Sequence, residues 1–420
     1  MTNLAVDIAT DLLPKSPVGH VIEMLRVPQI TLHAFCDTAE LRGVIEKAVA
    51  DRRMSRAIAK VYDGGITAAV ELYRQQGSPN LILIENRAPF TDLHGQLDAL
   101  ADVCIASTKV IVIGYSNDVA VYRELLRRGV SEYIVAPLDP MSIITGVSRL
   151  YHNPATDKFG RSLAFVGASG GVGSSTIAHN VASTIARAYD CNAILVDMDM
   201  PFGTASLGFD LSPEHGLAQA LKDGNRFDDV LLERLLTKCE DHLQILSAPA
   251  TLQQSYDLEE GAFEQVIDVA QSNVPFVVLD VPHIWTSWVK RTLIAADEVV
   301  ITAMPDLPSL RNAKNLVDLL KEARPHDSPP KVVLNQIGMP KRSEIKPDKF
   351  ISTLGIQPIT YVPFDPSTVS AAANNGKMIA DVGARSAVAK SFVKIAQAIS
   401  GREVNRARKR RFAFNRLWNR

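Results

Sequence analysis

The sequence predicts an α/β protein built from two doubly wound parallel-sheet domains. Three observations carry that prediction. Short apolar runs alternate with helical patterns both before and after a polar stretch at 152–161. One run opens into a glycine-rich turn, Ser169-Gly-Gly-Val-Gly-Ser-Ser-Thr176, that leads into a helical run. Later runs end in Asp197-Met-Asp199, in Asp280 and in Asn335. Strands separated by helices of this length form parallel sheets covered on both faces, and such sheets bind ligands at the strands' carboxyl ends.

In the first domain, the strand-like runs are Ile30–Phe35, Ala57–Tyr62, Asn80–Ile84, Lys109–Gly114 and Glu132–Val135. Helical patterns fill the gaps at Ala39–Val49, Ile66–Gln75, His94–Ala106 and Val119–Arg128, and Met141–Tyr151 closes the set. His152-Asn-Pro-Ala-Thr-Asp-Lys-Phe-Gly-Arg161 reads as a linker. The second domain has buried-strand runs at Leu163–Val166, Ala193–Val196, Leu243–Leu246, Phe276–Leu279, Glu298–Thr302, Val332–Leu334 and Ile359–Val362. The expected division is an arm at 1–27, domains at 28–151 and 162–400 joined by the linker, and a tail at 401–420.

Composition sets bounds. A chain of 420 residues, 46% of them hydrophobic, is long enough for two or three cores. A net charge of -1 argues against a protein made to coat nucleic acid. Cys36, Cys104, Cys191 and Cys239 form no CxxC pair, which points to a reducing cytoplasm rather than a disulfide framework or zinc site. No basic region followed by an apolar core marks a secretory signal, and no apolar run reaches the ~18–20 residues that span a bilayer.

The chemistry concentrates in the second domain. A glycine-rich turn between strand and helix points backbone N–H groups and the helix N-terminus at one anion. That makes Gly170, Gly171, Val172, Gly173, Ser174, Ser175 and Thr176 the candidate phosphate cradle. The strong form of this loop ends in Gly-Lys-Ser/Thr, and Ser174 stands where the lysine would be. Asp280, ending an apolar strand, suits a magnesium ion held through water. Asn335 offers the donor and acceptor that match an adenine edge. An Asp after a strand is more often a helix cap or turn residue, but four such pieces in order at one sheet edge read together as a site.

The first domain resembles the receiver domain of bacterial response regulators over most of 28–150. Receivers place acidic residues after their first strand and a phosphoacceptor aspartate after the third. A hydroxyl residue follows the fourth strand and a lysine the fifth. Asp37, Glu85, Gly114 and Ala136 hold those positions here, so neither hydroxyl nor lysine remains to stabilise a transferred phosphoryl group. The resemblance implies a pseudo-receiver used as an interaction module, against the plainer reading of a flavodoxin-like spacer.

Across about 160–400 the order of motifs resembles the MinD/ParA group of deviant-Walker ATPases, whose loop reads Lys-Gly-Gly-x-Gly-Lys-Thr-Thr. Supporting segments are Ala303-Met-Pro-Asp-Leu-Pro-Ser309 and Val362-Pro-Phe-Asp365. The resemblance implies bound ATP or ADP with Mg2+. By position it makes Ser175 a magnesium ligand, Thr176 a phosphate donor, Asp199 the water-positioning carboxylate, Asp280 an outer-shell metal holder and Asn335 the adenine contact. Ser169 replaces the lysine that in the family crosses a dimer to the partner's nucleotide, and Ser174 replaces the ordinary phosphate lysine. A charge-assisted hydrogen bond contributes roughly 1.5–3 kcal/mol, so one lost lysine weakens affinity about ten- to a hundredfold. Hydrolysis suffers more, because lysine stabilises charge that develops in the transition state.

The pairing of a degenerate receiver with a lysine-poor MinD/ParA-like domain resembles the CpaE/TadZ proteins of Tad (Flp) type IV pilus assembly. That resemblance implies a cytoplasmic factor that localises secretion machinery, often at a cell pole. Its implied partners are pilus-machine or polar-localisation proteins and a second copy of the chain. An active MinD/ParA-type ATPase in DNA partition or cell-division positioning is the alternative. Gly167-Ala-Ser169-Gly-Gly171 also fits a hydrolase nucleophile elbow, but no HGGG-type segment precedes it. Gly171-Val-Gly173-Ser-Ser-Thr176 lacks the third small residue of a dinucleotide fingerprint. His179 and His283 read as packing or polar surface residues. In the tail, a basic cluster precedes Phe414, Leu417 and Trp418 at helical spacing, which suits the inner-membrane surface through 402–420, a partner protein, or no partner.

Overall fold

The computed structural model describes residues 27–88, 90–151, 159–223 and 227–401. The expectations for the arm, most of the linker and nearly all of the tail lie outside the described residues. The chain divides into two compact units, one ending at Asp157 and the other starting at Lys158.

Five strands form the parallel sheet of the first unit: β1 (Ile30–Cys36), β2 (Ala57–Asp63), β3 (Leu81–Glu85), β4 (Lys109–Gly114) and β5 (Glu132–Val135). Their order is β2-β1-β3-β4-β5, so the winding reverses between β1 and β3. Such a reversal opens a crevice beyond the strand ends. Alternate residues of β1 feed opposite faces: Leu32 and Ala34 join one core, Phe35 the other. The central strand β3 is buried throughout, as its unbroken apolar run predicts. Thr38 caps the helix Ala39–Val49 by accepting from Leu41 N–H, which fixes the loop between β1 and that helix.

The second unit carries eight strands: β6 (Arg161–Gly167), β7 (Ala193–Asp197), β8 (Thr237–Glu240), β9 (Leu243–Leu246), β10 (Phe276–Val281), β11 (Glu298–Ala303), β12 (Lys331–Ile337) and β13 (Thr360–Pro363). They lie in the order β13-β12-β11-β6-β10-β7-β9-β8. All pairings are parallel except β8 with β9. β8 was not foreseen, because Thr237-Lys-Cys-Glu240 is a polar edge strand with no apolar run to betray it. In β6, Leu163 and Phe165 face one core while Ala164 and Val166 face the other. The helix Ser174–Tyr189 lays Ile177, Ala178, Val181, Ala182 and Ile185 on the Phe165 side. Burying one such aliphatic side chain contributes about 1.5–3 kcal/mol, so the helix start is rigidly seated. β10 runs between β6 and β7, pairing Asp280 with Phe165 on one side and Asp197 on the other. No helix among the described residues is long and apolar enough to cross a membrane.

Candidate functional site

β6 ends at Gly167, and the loop from Ala168 to Gly173 leads straight into the helix Ser174–Tyr189. Gly171 and Gly173 have φ of 75° and 86°, left-handed backbone that glycine enters without a Cβ clash. At Gly173 a Cβ would also stand 2.6 Å from Asn335 Nδ2, so the position excludes any side chain.

Side chains from distant elements hold the loop's carbonyls. His283 Nδ1 donates to Gly167 O at 2.8 Å, and Asn312 Nδ2 donates to Ala168 O at 2.8 Å. Gln336 Nε2 reaches Gly171 O at 3.1 Å, and Asn335 Nδ2 reaches Val172 O at 2.8 Å. Ser169 Oγ turns onto the buried Ser309 Oγ at 2.7 Å. Meanwhile the N–H groups from Ser169 to Gly173 meet no acceptor among the described residues. The first N–H groups of the helix add to them, since a helix start leaves its own donors unpaired. The result is a concave set of donors with its acceptors tied back, the electrostatic form of an anion site.

The predicted site residues take these places. Gly170 to Thr176 form the loop and helix start; Val172 is 1% exposed and offers only its backbone. Ser174 is buried, and its Oγ meets no partner among the described residues. Ser175 and Thr176 are partly exposed. Asn335 stands against the loop with both ends of its amide engaged, since Oδ1 also accepts from Gln336 N–H at 2.8 Å. It therefore braces the loop from below. A cavity of about 300 Å³ opens beside it, lined by Gly171, Gly173, Thr176, Gln336, Val362 and Phe364 among others.

Asp280 and Asp199 lie at the ends of neighbouring strands. Asp280, 3% exposed, accepts from His179 Nε2 at 3.0 Å on Oδ2. Asp197, 1% exposed, accepts from Asp199 N–H at 3.2 Å and from Ala205 N–H at 2.9 Å. Burial, reinforced by the charge of Asp280, pushes the Asp197 carboxyl up to about 6. For His179, burial opposes the charged ring. The hydrogen bond to Asp280 and the charges of Asp280 and Asp197 outweigh that and raise its pKa. Asp199 is half-buried, which raises its pKa although its Oδ1 accepts from Phe202 N–H at 3.1 Å. Sequence reading did not find the loop clamps Ser309, Asn312 and Gln336, or the clamp formed by His283.

The first unit holds a second polar centre. Glu85, 2% exposed, ends β3. Its Oε2 accepts from Asp37 N–H at 2.8 Å and Thr38 N–H at 2.9 Å. Thr38 Oγ1 reaches Oε1 at 2.9 Å, and the Tyr115 hydroxyl donates to Oε1 at 2.6 Å. Burial works against the carboxylate, but the hydrogen bonds from Tyr115, Thr38 and Asp37 prevail and lower its pKa. Gly114 itself carries no hydroxyl, yet one reaches this centre from its neighbour. β4 ends at Gly114, and the next residue, Tyr115, supplies a phenolic hydroxyl.

An AAA domain family model matches residues 160–330. Septum site-determining protein MinD of Bacillus subtilis is 25% identical over 266 residues, spanning 58% of this chain and 91% of MinD. A ParA family ATPase from Chlorobium tepidum TLS is similar with a TM-score of 0.51 and 26% identity, across 57% of this chain and 98% of that one. The pilus assembly protein CpaE from Caulobacter crescentus CB15 is 50% identical across 31% of this chain and 98% of the solved chain, with a TM-score of 0.30. It is the sequence identity, not the TM-score, that ties the receiver-type unit to CpaE. With that identity in the first unit and a MinD/ParA-like AAA domain after it, the chain belongs to the CpaE-type pilus assembly proteins.

Proposed function

We propose that this chain is a localisation and assembly factor for a Tad-type pilus machine. On this reading its second unit binds ATP or ADP weakly and turns it over slowly or not at all. The observation that carries this is the loop itself: carbonyls tied back at Gly167, Ala168, Gly171 and Val172, N–H groups left open, and serines at both lysine positions.

The β- and γ-phosphates would sit on the N–H groups from Gly170 to Ser175, with the Thr176 hydroxyl beside them. The adjoining cavity, walled by Val362, Pro363 and Phe364, suits the flat face of a base. For a magnesium ion the oxygen-only set of Ser175 Oγ and Asp280 Oδ1 fits, since Oδ1 takes no protein donor among the described residues. A bound ion would neutralise phosphate charge. Asp199, half-buried at the same edge, would orient the attacking water. Ser169 turns onto Ser309, so this position offers no cationic side chain to a second copy.

The surroundings favour a scaffold. Phe202, Leu207, Ile284, Trp285 and Leu307 lie on the connections and helix starts that follow β7, β10 and β11, each 49% to 70% exposed. Such a rim suits a second copy or a machine protein. The receiver-type unit serves as the other interaction module. A calorimetric titration tests the binding half: the expected result is ATP and ADP binding at millimolar ligand, and no heat of binding there defeats it. Turnover near one per second, abolished in Asp199→Ala, would defeat the second half.

A further inference from the structure

His179 has no role in the nucleotide reading so far, yet it gives Asp280 the one side-chain hydrogen bond that carboxylate receives among the described residues. It lies four residues beyond Ser175 on the helix Ser174–Tyr189, which puts both on one helix face. Its ring is seated against Phe209, with centroids 6.2 Å apart. The two buried carboxylates of the site are held differently. Asp197 rests on two backbone N–H groups, whereas Asp280 depends on the imidazole. Without His179, Asp280 would face the charge of Asp197 with no anchor to set its orientation.

We propose that His179 is a positioning residue of the nucleotide site. By fixing Asp280 Oδ2 it leaves Oδ1 as the oxygen presented to the divalent cation that accompanies the phosphates. The proposal rests on the nucleotide reading above. Metal-binding carboxylates are themselves held by hydrogen bonds, and removing such a partner lowers metal affinity about 10–100-fold.

The test is an ADP titration of the full chain by calorimetry, in Mg2+ and in EDTA, for wild type, His179→Ala and His179→Gln. Mg2+ should tighten ADP binding by wild type. His179→Ala should shrink that tightening by about tenfold or more while leaving the affinity in EDTA within about twofold. His179→Gln keeps an N–H donor and should recover most of the effect. Should alanine unfold the helix, His179→Phe keeps the ring volume without a donor and is read the same way. An unchanged Mg2+ effect in the donor-less variant overturns the proposal, and so does an equal loss in both media, which would mean packing alone. A wild type indifferent to Mg2+ overturns it while sparing the nucleotide reading. No ADP binding by wild type under either condition defeats both.

Discussion

The two units each end a central strand beside a loop of backbone donors, and they fill that loop in opposite ways. In the first unit the N–H groups of Asp37 and Thr38 close on the protein's own carboxylate, Glu85, which the Tyr115 hydroxyl seals from the other side. In the second, side chains draw the loop's carbonyls away and its N–H groups stay open. One anion site is satisfied from within; the other is shaped for an anion from outside. The two loops therefore differ in what fills them. Glu85 occupies the first with the protein's own carboxylate, while Ser169 and Ser174 leave the second without a cationic side chain at those positions.

The sharpest way to break the first half is Glu85→Gln. An amide keeps one oxygen for the N–H groups of Asp37 and Thr38 but loses the charge and turns its NH2 toward the Tyr115 and Thr38 hydroxyls, and the loss should be about 2–3 kcal/mol at pH 7. Hydrogen exchange across Leu81–Glu85 in the full chain would read it. The folded pKa of Glu85 lies below its ordinary value. Its stabilisation is therefore present above the unfolded pKa and lost as pH falls through the folded one. The gap between wild type and Glu85→Gln should close below about pH 4.

For the second half, Ser174→Lys should tighten ATP binding by about ten- to a hundredfold, measured by calorimetry, because it returns a charge-assisted bond to an otherwise complete cradle. Gly173→Ala should remove ADP binding and destabilise the second unit by about 1–2 kcal/mol, since it strains a φ of 86° and meets Asn335. A urea melt followed by tryptophan fluorescence, to which the buried Trp288 contributes, would check the stability term. Asn335→Ala frees Val172 O and Gln336 N–H; about 1 kcal/mol of stability and a several-fold loss of ADP affinity should follow.

Much of this contrast was legible in the sequence, and the illegible parts share a cause. The strands announced themselves because Leu81–Ile84 and Phe276–Leu279 are unbroken apolar runs, and the loop because its glycines have few other uses. Asp280 and Asn335 were visible as polar ends of apolar strands. The clamps were not: Asn312 lies 144 residues from Ala168 and His283 lies 116 from Gly167, so only the folded sheet brings them to the loop. Tyr115 escaped because the polar position was read at Gly114, one residue short. His179 escaped because a histidine on the buried side of a helix looks like packing until the strand bearing Asp280 is set beside it.

One donor loop is open and the other sealed. Hydrogen exchange of the full chain with and without millimolar ADP and Mg2+ separates the two. Exchange should slow from Gly170 to Thr176 and stay unchanged at Asp37, Thr38 and Tyr115. Unchanged exchange in the glycine loop, or protection appearing around Glu85, would contradict this.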